Sequence, residues 1–266
     1  MRTTGRRAVT AAGLTVVGVA TLLAAASTAA DAATTKPTPA VRKVAAASAV
    51  HGMASFSFDD GLEGQYLHAR PVLRAARVNG TFYLISDALG WGETNLSPAQ
   101  AKTLVAEGDE IGNHTRDHAD LASLPADEVD AEFAQAQAAI KAQVGVTPTT
   151  CAYPYGSSNE TVRAIAAKYL RGCRGTAAGT LTRSTLQPFD LLTFYVHSDT
   201  TAADVRAAAA AAVAGKTWVI FVYHGVGEVR SSEDVTTEAL AAQVQAVKAT
   251  GIDVRTVAKA YAALGR

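Results

Sequence analysis

Residues 218–225 read Trp-Val-Ile-Phe-Val-Tyr-His-Gly. Six apolar residues in unbroken succession describe a strand buried on both faces, the habit of parallel sheets. Outward from it, the chain alternates strands with helices. Ala54 to Phe58 reads as a strand, Tyr66 to Val78 as a helix, and Gly80 to Ile85 as β again. Ser97 caps a helix with Pro98 at its first position, ending near Glu107. A strand over Glu110 to Asn113 precedes a long helix from Asp127 to Val144. Thr149 to Ala152, Gly172 to Arg174 and Leu191 to Val196 extend, with helices after Asn159 (to Leu170) and over Asp204 to Ala214 between or behind them. Glu238 to Ala249 is helical, and an extended Val254 and a last helix close the chain. Such alternation means parallel strands with helices outside. Seven or eight units in about 215 residues favour a barrel over an open sheet.

The 266 residues are 48% hydrophobic and 18% charged, an ordinary globular composition with zero formal net charge. No basic field draws the chain to nucleic acid or acidic lipid. Arg2, Arg6 and Arg7 precede an apolar run from Ala8 to Ala26, and small residues follow as far as Ala32. That is the layout of an export signal over residues 1–32, cleaved after Ala32. The competing reading is a membrane anchor, for which the Ala, Gly and Thr content is weakly apolar. The Arg6-Arg7 pair leaves the export route open. Loss of residues 1–32 removes three arginines and one aspartate, leaving a formal charge of −2 and no segment for stable membrane insertion. Residues 33–50 are small, polar and Pro-containing, a flexible linker. One domain follows over 51–266, expected to be secreted and monomeric. Export also puts Cys151 and Cys173 where disulfides persist. They sit near two strands joined by one helix, so a bridge between neighbouring strands is expected.

The acidic and imidazole side chains gather at strand ends. Asp59-Asp60-Gly61 ends the first strand, His114 and His118 follow the third, Tyr153-Pro154-Tyr155-Gly156 follows the Cys151 strand, and His224 ends the buried one. In a parallel α/β fold these carboxyl ends are the face where active sites assemble. Singly each is weak: Asp-Asp-Gly is commonly a turn, and a His after a strand is commonly a satisfied polar group. Two histidines at i and i+4 share one side of a helical turn and reach one cation together. One Asp with two His makes a site for Zn2+, with Co2+ or Ni2+ as alternatives, leaving positions open for water and substrate. A second carboxylate then serves as general base and a separate His as general acid.

The strings SFSFDDG (Ser55 to Gly61), HTRDH (His114 to His118), YPYG (Tyr153 to Gly156) and FVYHG (Phe221 to Gly225), in that order, resemble the NodB-homology polysaccharide deacetylases, carbohydrate esterase family 4. The resemblance spans about residues 51–260. It implies a distorted (β/α) barrel of about seven parallel strands and metal-dependent removal of acetyl groups from an acetylated polysaccharide. It also implies roles: Asp59 as general base; Asp60, His114 and His118 as metal ligands; the Tyr155 main-chain N–H at the oxyanion; His224 as general acid. Two departures stand out. An arginine of the third motif, which pairs with the base, is replaced by Ala152, leaving Asp59 without a cation unless Arg116, Arg174 or Arg183 reaches in. The acids of the fourth motif are not recognisable, and Asp190 and Asp199 are the candidates for orienting His224. The Ala152-to-Gly156 segment is similar to that of a branch resembling poly-N-acetylglucosamine deacetylases.

Other residues take plainer readings. His51, His68 and His197 read as structural or solvated, Trp218 as core, and Trp91 as a sugar-stacking platform. Three functions stay open: N-deacetylation of a glycan, O-acetyl esterase action on a xylan-type polymer, or an inactive glycan-binding module.

Overall fold

A computed structural model of the chain describes residues 51–265; the signal and linker readings over 1–32 and 33–50 lie outside the described residues. Eight strands run in parallel: β1 (Met53–Phe58), β2 (Thr81–Leu84), β3 (Glu110–Asn113), β4 (Thr150–Ala152), β5 (Gly172–Ala178), β6 (Leu191–Tyr195), β7 (Trp218–Tyr223) and β8 (Asp253–Val254). Their order is β2-β3-β4-β5-β6-β7-β1-β8, and β1 also pairs with β2. The first seven therefore close into a barrel. One edge of β1 is shared: its start pairs with β8 (Met53 with Asp253, Ala54 with Val254) and its end with β2 (Ser57 with Thr81, Phe58 with Phe82).

Seven α-helices accompany the strands: α1 (Arg70–Ala76), α2 (Pro98–Ala106), α3 (Ala126–Val144), α4 (Glu160–Ala166), α5 (Ala202–Gly215), α6 (Thr237–Lys248) and α7 (Val257–Leu264). The start of α2 follows its local chemistry. The Ser97 hydroxyl accepts from Gln100 N–H while the Gln100 side chain accepts from Ser97 N–H, and Pro98 supplies the preset φ of the first turn. The helix read over Tyr66 to Val78 is in fact two pieces. A π-helical stretch, Gln65–Ala69, leads into α1, which ends on Arg77 with a left-handed backbone (φ 56). The helix after Asn159 stops at Ala166 rather than Leu170. Among the described residues no helix is long and apolar enough to cross a membrane.

Ser-Phe-Ser-Phe-Asp sorts the two faces of β1. Phe56 and Phe58 stack on Phe221, Phe82 and Tyr223 in the layer between sheet and helices, beside Leu73, Val205 and Leu240. Ser55 and Ser57 alternate to the other face, the lumen. There Ser55 Oγ accepts from Trp218 Nε1 (2.9 Å) and Ser57 Oγ donates to Phe221 O (3.1 Å). By the same period Asp59 aims into the barrel mouth. Tyr83 crosses the lumen with its hydroxyl 3.2 Å from Thr150 Oγ1. Gly112 makes room for it, since a Cβ there would meet the Tyr83 ring at 2.3 Å. At the lower end Val257, Ala260 and Leu264 of α7 cluster with Met53, Leu191, Trp218 and Ile220, and Glu110 of β3 accepts from Ala258 N–H (2.8 Å) and Thr81 Oγ1 (3.0 Å).

The two cysteines are bridged across β4 and β5, with Cα atoms 4.4 Å apart, as expected from their neighbouring strands. Both are fully buried.

Candidate active site

Asp59 stands one residue beyond β1, 4% exposed, at the top of the lumen. A carboxylate held that far from water needs a cation or several donors. It has a cation. Arg174 of β5, 1% exposed, places its Nη2 on Asp59 Oδ1. Arg174 is the register partner of Ala152, so the guanidinium rises from the strand next to the one where it was missed. The small Ala152 side chain leaves lumen space, and the guanidinium lies over the Tyr83 ring at 4.9 Å. The other two candidates are engaged elsewhere. Arg116 pairs with Asp117 and Glu132, and Arg183 Nε donates to Leu264 O.

Asp60 turns away from Asp59 because its backbone is left-handed (φ 71). Its Oδ1 lies 3.3 Å from His114 Nε2 and 3.5 Å from His118 Nε2. His114 sits just past β3, and its Nδ1 is 2.8 Å from Ala152 O. That carbonyl can only accept, so Nδ1 carries the hydrogen and Nε2 keeps its lone pair towards Asp60. The i and i+4 histidines do not share a helical turn, however. His114 to His118 is an irregular loop with left-handed Thr115 (φ 64) and His118 (φ 68), and the rings meet edge to face at 4.8 Å. Four of the six described non-glycine residues with positive φ (Asp60, Thr115, His118, Tyr155) belong to this site, where such strain is commonly stored.

The donor set fits a divalent metal. One atom each from Asp60, His114 and His118 lies within 4.8 Å of the others, and Asp60 Oδ1 is buried with no hydrogen-bond partner. Burial pushes the Asp60 carboxyl up, but the neighbouring imidazoles, His114 foremost and then His224 and His118, outweigh it and hold the group down to about 2. Burial pushes His114 down, and the Asp60 and Asp59 carboxylates more than offset it, so its net shift is upward. His118 is shifted downward by burial and by His114 beside it.

His224 follows β7. Its Nε2 is 3.8 Å from Asp59 Oδ2 and 3.1 Å from Tyr195 Oη. Tyr195 also donates to Glu233 Oε1 (3.1 Å), whose other oxygen is 4.0 Å from the imidazole. Neither Asp190 nor Asp199 takes that part. Both are exposed, and Asp190 lines a separate hollow with Glu160 and Arg163. The reason is topological: Tyr195 at the end of β6 and Glu233 on the loop after β7 flank His224 directly. Buried Gln65 ties the ends of β1 and β7 together, its Nε2 donating to the main-chain carbonyls of Asp59 and His224.

All six residues singled out from the sequence (Asp59, Asp60, His114, His118, Tyr155 and His224) line one cavity of about 540 Å3. Tyr155 sits at its wall with a left-handed backbone (φ 57), 70% exposed, its ring 4.6 Å from that of His118. Tyr153, Gly156, Thr176, Tyr195, His197 and Glu233 complete the lining. His197, read as a solvated loop residue, thus faces the cavity, 5.1 Å ring to ring from Tyr195. Tyr195 and Glu233 were not anticipated, and their one signal was position: each follows or ends a strand at the same face.

Residues 48–170 match the model of a family described as polysaccharide deacetylase. A gellan lyase of Bacillus sp is 34% identical over 126 residues, 47% of this chain and 5% of that protein. A chitin deacetylase of Pestalotiopsis sp is 31% identical over 140 residues, 53% of this chain and 46% of that protein. The chain spans less than half the length of either relative. Among solved structures, the Xyl-CE4 domain of a multidomain xylanase from the hindgut metagenome of Trinervitermes trinervoides superposes with a TM-score of 0.58 at 20% identity, over 80% of this chain and 90% of that one. At that identity the likeness is one of fold.

Proposed function

We propose that the chain, whose residues 48–170 match the polysaccharide deacetylase family, is a NodB-homology polysaccharide deacetylase of carbohydrate esterase family 4 that hydrolyses acetyl groups, N-acetyl above all, on a polysaccharide outside the cell. One observation carries the reading: a charge-paired buried carboxylate, a three-ligand metal set and a pocket imidazole share one cavity. Two imidazoles and one carboxylate suit Zn2+ best, with Co2+ or Ni2+ able to replace it. Such an ion, when bound, supplies Lewis acidity and a water that ionises near neutral pH. Asp59, fixed by Arg174, accepts the proton of the attacking water. His224, steadied by Tyr195, returns a proton to the leaving nitrogen, which departs poorly as an anion. The Tyr155 N–H is assigned to the developing oxyanion. The inactive glycan-binding module rests on Ala152 and on the unrecognisable acids of the fourth motif; the Arg174–Asp59 pair argues against the first ground, and the Tyr195 and Glu233 contacts of His224 against the second.

The substrate reading, a polymer of N-acetylated amino sugar, rests on the AYPYG segment and on the chitin deacetylase among the relatives. Export, with cleavage after Ala32, rests on the charge and apolar pattern of residues 1–32. The test is acetate release from chitin oligomers, peptidoglycan, poly-N-acetylglucosamine and acetyl-xylan, before and after chelation. We expect release from the N-acetylated polymers, lost with chelator and restored by Zn2+. Release from acetyl-xylan alone would replace N-deacetylation by O-acetyl esterase action, and release from none would sink the enzymatic reading.

A further inference from the structure

We propose that Glu132 is a positioning residue for His118, setting how tightly the chain holds its metal. The inference rests on the reading of Asp60, His114 and His118 as metal ligands. The two histidines are braced unequally. His114 emerges from β3 and is pinned through Nδ1 to Ala152 O at 2.8 Å. The His118 ring has no such hydrogen bond among the described residues; it packs edge to face on His114 and Tyr155, and its reach towards Asp60 is set by the backbone that carries it. That backbone is unusual, left-handed at Thr115 and at His118 itself. Such conformations persist only where their surroundings fix them.

Glu132 is what fixes this loop from below. It lies in the middle of α3, 2% exposed, with its carboxylate turned onto the loop rather than along its own helix. Oε2 accepts from Arg116 N–H (2.9 Å) and from Asp117 N–H (3.3 Å), and Oε1 lies 3.0 Å from Arg116 Nη2. The two amides are those immediately before His118. A buried carboxylate without donors is heavily penalised, so Glu132 and this loop conformation require one another. The upper side of the loop is held by Thr115 N–H on Asn113 Oδ1 (2.8 Å), by His118 N–H on Thr115 Oγ1 (3.1 Å), and by Ser86 and Asp87 N–H on Thr115 and Arg116 carbonyls. Groups that orient a ligand from behind commonly change metal affinity by about 10- to 100-fold when lost.

The test is a competition titration of Zn2+ against a chromophoric chelator, on wild type, Glu132→Gln, His118→Ala and the double variant. Glu132→Gln should weaken Zn2+ binding by about tenfold or more, yet change affinity by less than about twofold where His118 is already Ala. Unchanged affinity in Glu132→Gln, or an equal loss in both backgrounds, would overturn the proposal, the second because it reports general damage. A wild type that binds no Zn2+ brings down the metal-centre reading and this proposal with it, a result distinct from a wild type that binds and a Glu132→Gln that binds equally. Should Glu132→Gln not fold, amide exchange in metal-free wild type decides. Protected Arg116 and Asp117 amides support the proposal, and amides exchanging at unstructured rates refute it.

Discussion

At the scale of single residues, Arg174 and Asp59 form a pair that neither can leave without harm. The guanidinium is 1% exposed, so its removal strands a buried carboxylate at the barrel mouth. Breaking such a pair costs about 3–5 kcal/mol, far more than the pair adds over apolar residues of the same size. Arg174→Met should therefore lower the melting temperature and cut kcat by about 10²-fold through misplacement of the proposed base, with metal stoichiometry unchanged. Adding Ala152→Arg should recover part of kcat, since 152 and 174 are register partners facing the same lumen. Failure of that double variant to exceed Arg174→Met would show that the strand of origin matters. Tyr195→Phe makes a second case. Burial pushes the Tyr195 phenol up, so it keeps its proton, donates to Glu233 and accepts from His224 Nε2–H. Without it, amide deacetylation should fall by about 10-fold or more while hydrolysis of an activated aryl acetate, which needs no proton on its leaving group, falls much less. Equal losses on both substrates would deny Tyr195 that role. Asp59, Asp60, His114, His118 and His224 were legible because each ends or follows a strand, where topology alone dictates a shared face. Tyr195 and Glu233 were not, because position is their one signal, and a Tyr closing a strand or a Glu in a loop is too common for position alone to single it out.

At the scale of elements, the disulfide ties the two strands whose next residues organise the site. Cys151 precedes Ala152, whose carbonyl holds His114, and Cys173 precedes Arg174, which holds Asp59. The bridge closes a span of 22 residues, which limits the unfolded chain and stabilises by about 3 kcal/mol on the chain-entropy account. The Cys151→Ser/Cys173→Ser double variant should unfold at correspondingly lower denaturant, and thiol titration of the denatured, unreduced wild type should find none. Two titratable thiols would contradict the bridge. Strand positions were recovered from sequence almost throughout, because apolar runs bounded by turn residues leave little choice of frame. Two helical readings were not. The step from π to α before Arg70 changes no hydrophobic pattern, and His114 to His118 has the spacing of a helical turn while its irregular backbone is held by tertiary bonds from Glu132 and the loop after β2. Such bonds come from residues distant in sequence, where periodicity has no reach.

At the scale of the whole molecule, closure of the barrel ties the two halves of the chain into one site. The family match ends at residue 170, and the three proposed metal ligands all lie within it. Their supports do not. β1, which delivers Asp59 and Asp60, pairs with β7 at six register positions and with β2 at only two. Arg174, Tyr195, His224 and Glu233 come from the second half, and α7 closes the lower end against Met53 and Trp218. A fragment of residues 48–170 would keep every ligand while leaving β1 without its main partner and exposing both edges of the sheet. Its apolar outer layer, Phe56 and Phe58 among it, would lose Phe221 and Tyr223. Long-range pairings of this kind reward the chain only after the intervening loop is closed, so half a barrel gains little from its own strands. The fragment is therefore expected to lack a cooperative thermal transition and to bind Zn2+ at least about 100-fold more weakly than residues 51–266, because ligands on an unfolded chain must be ordered at the moment of binding. Calorimetry of the two proteins side by side measures both quantities. Cooperative melting with undiminished Zn2+ affinity in the fragment would mean that the first half folds alone, and that the second half adds the proposed acid His224 and the Arg174 cation to a metal centre already formed.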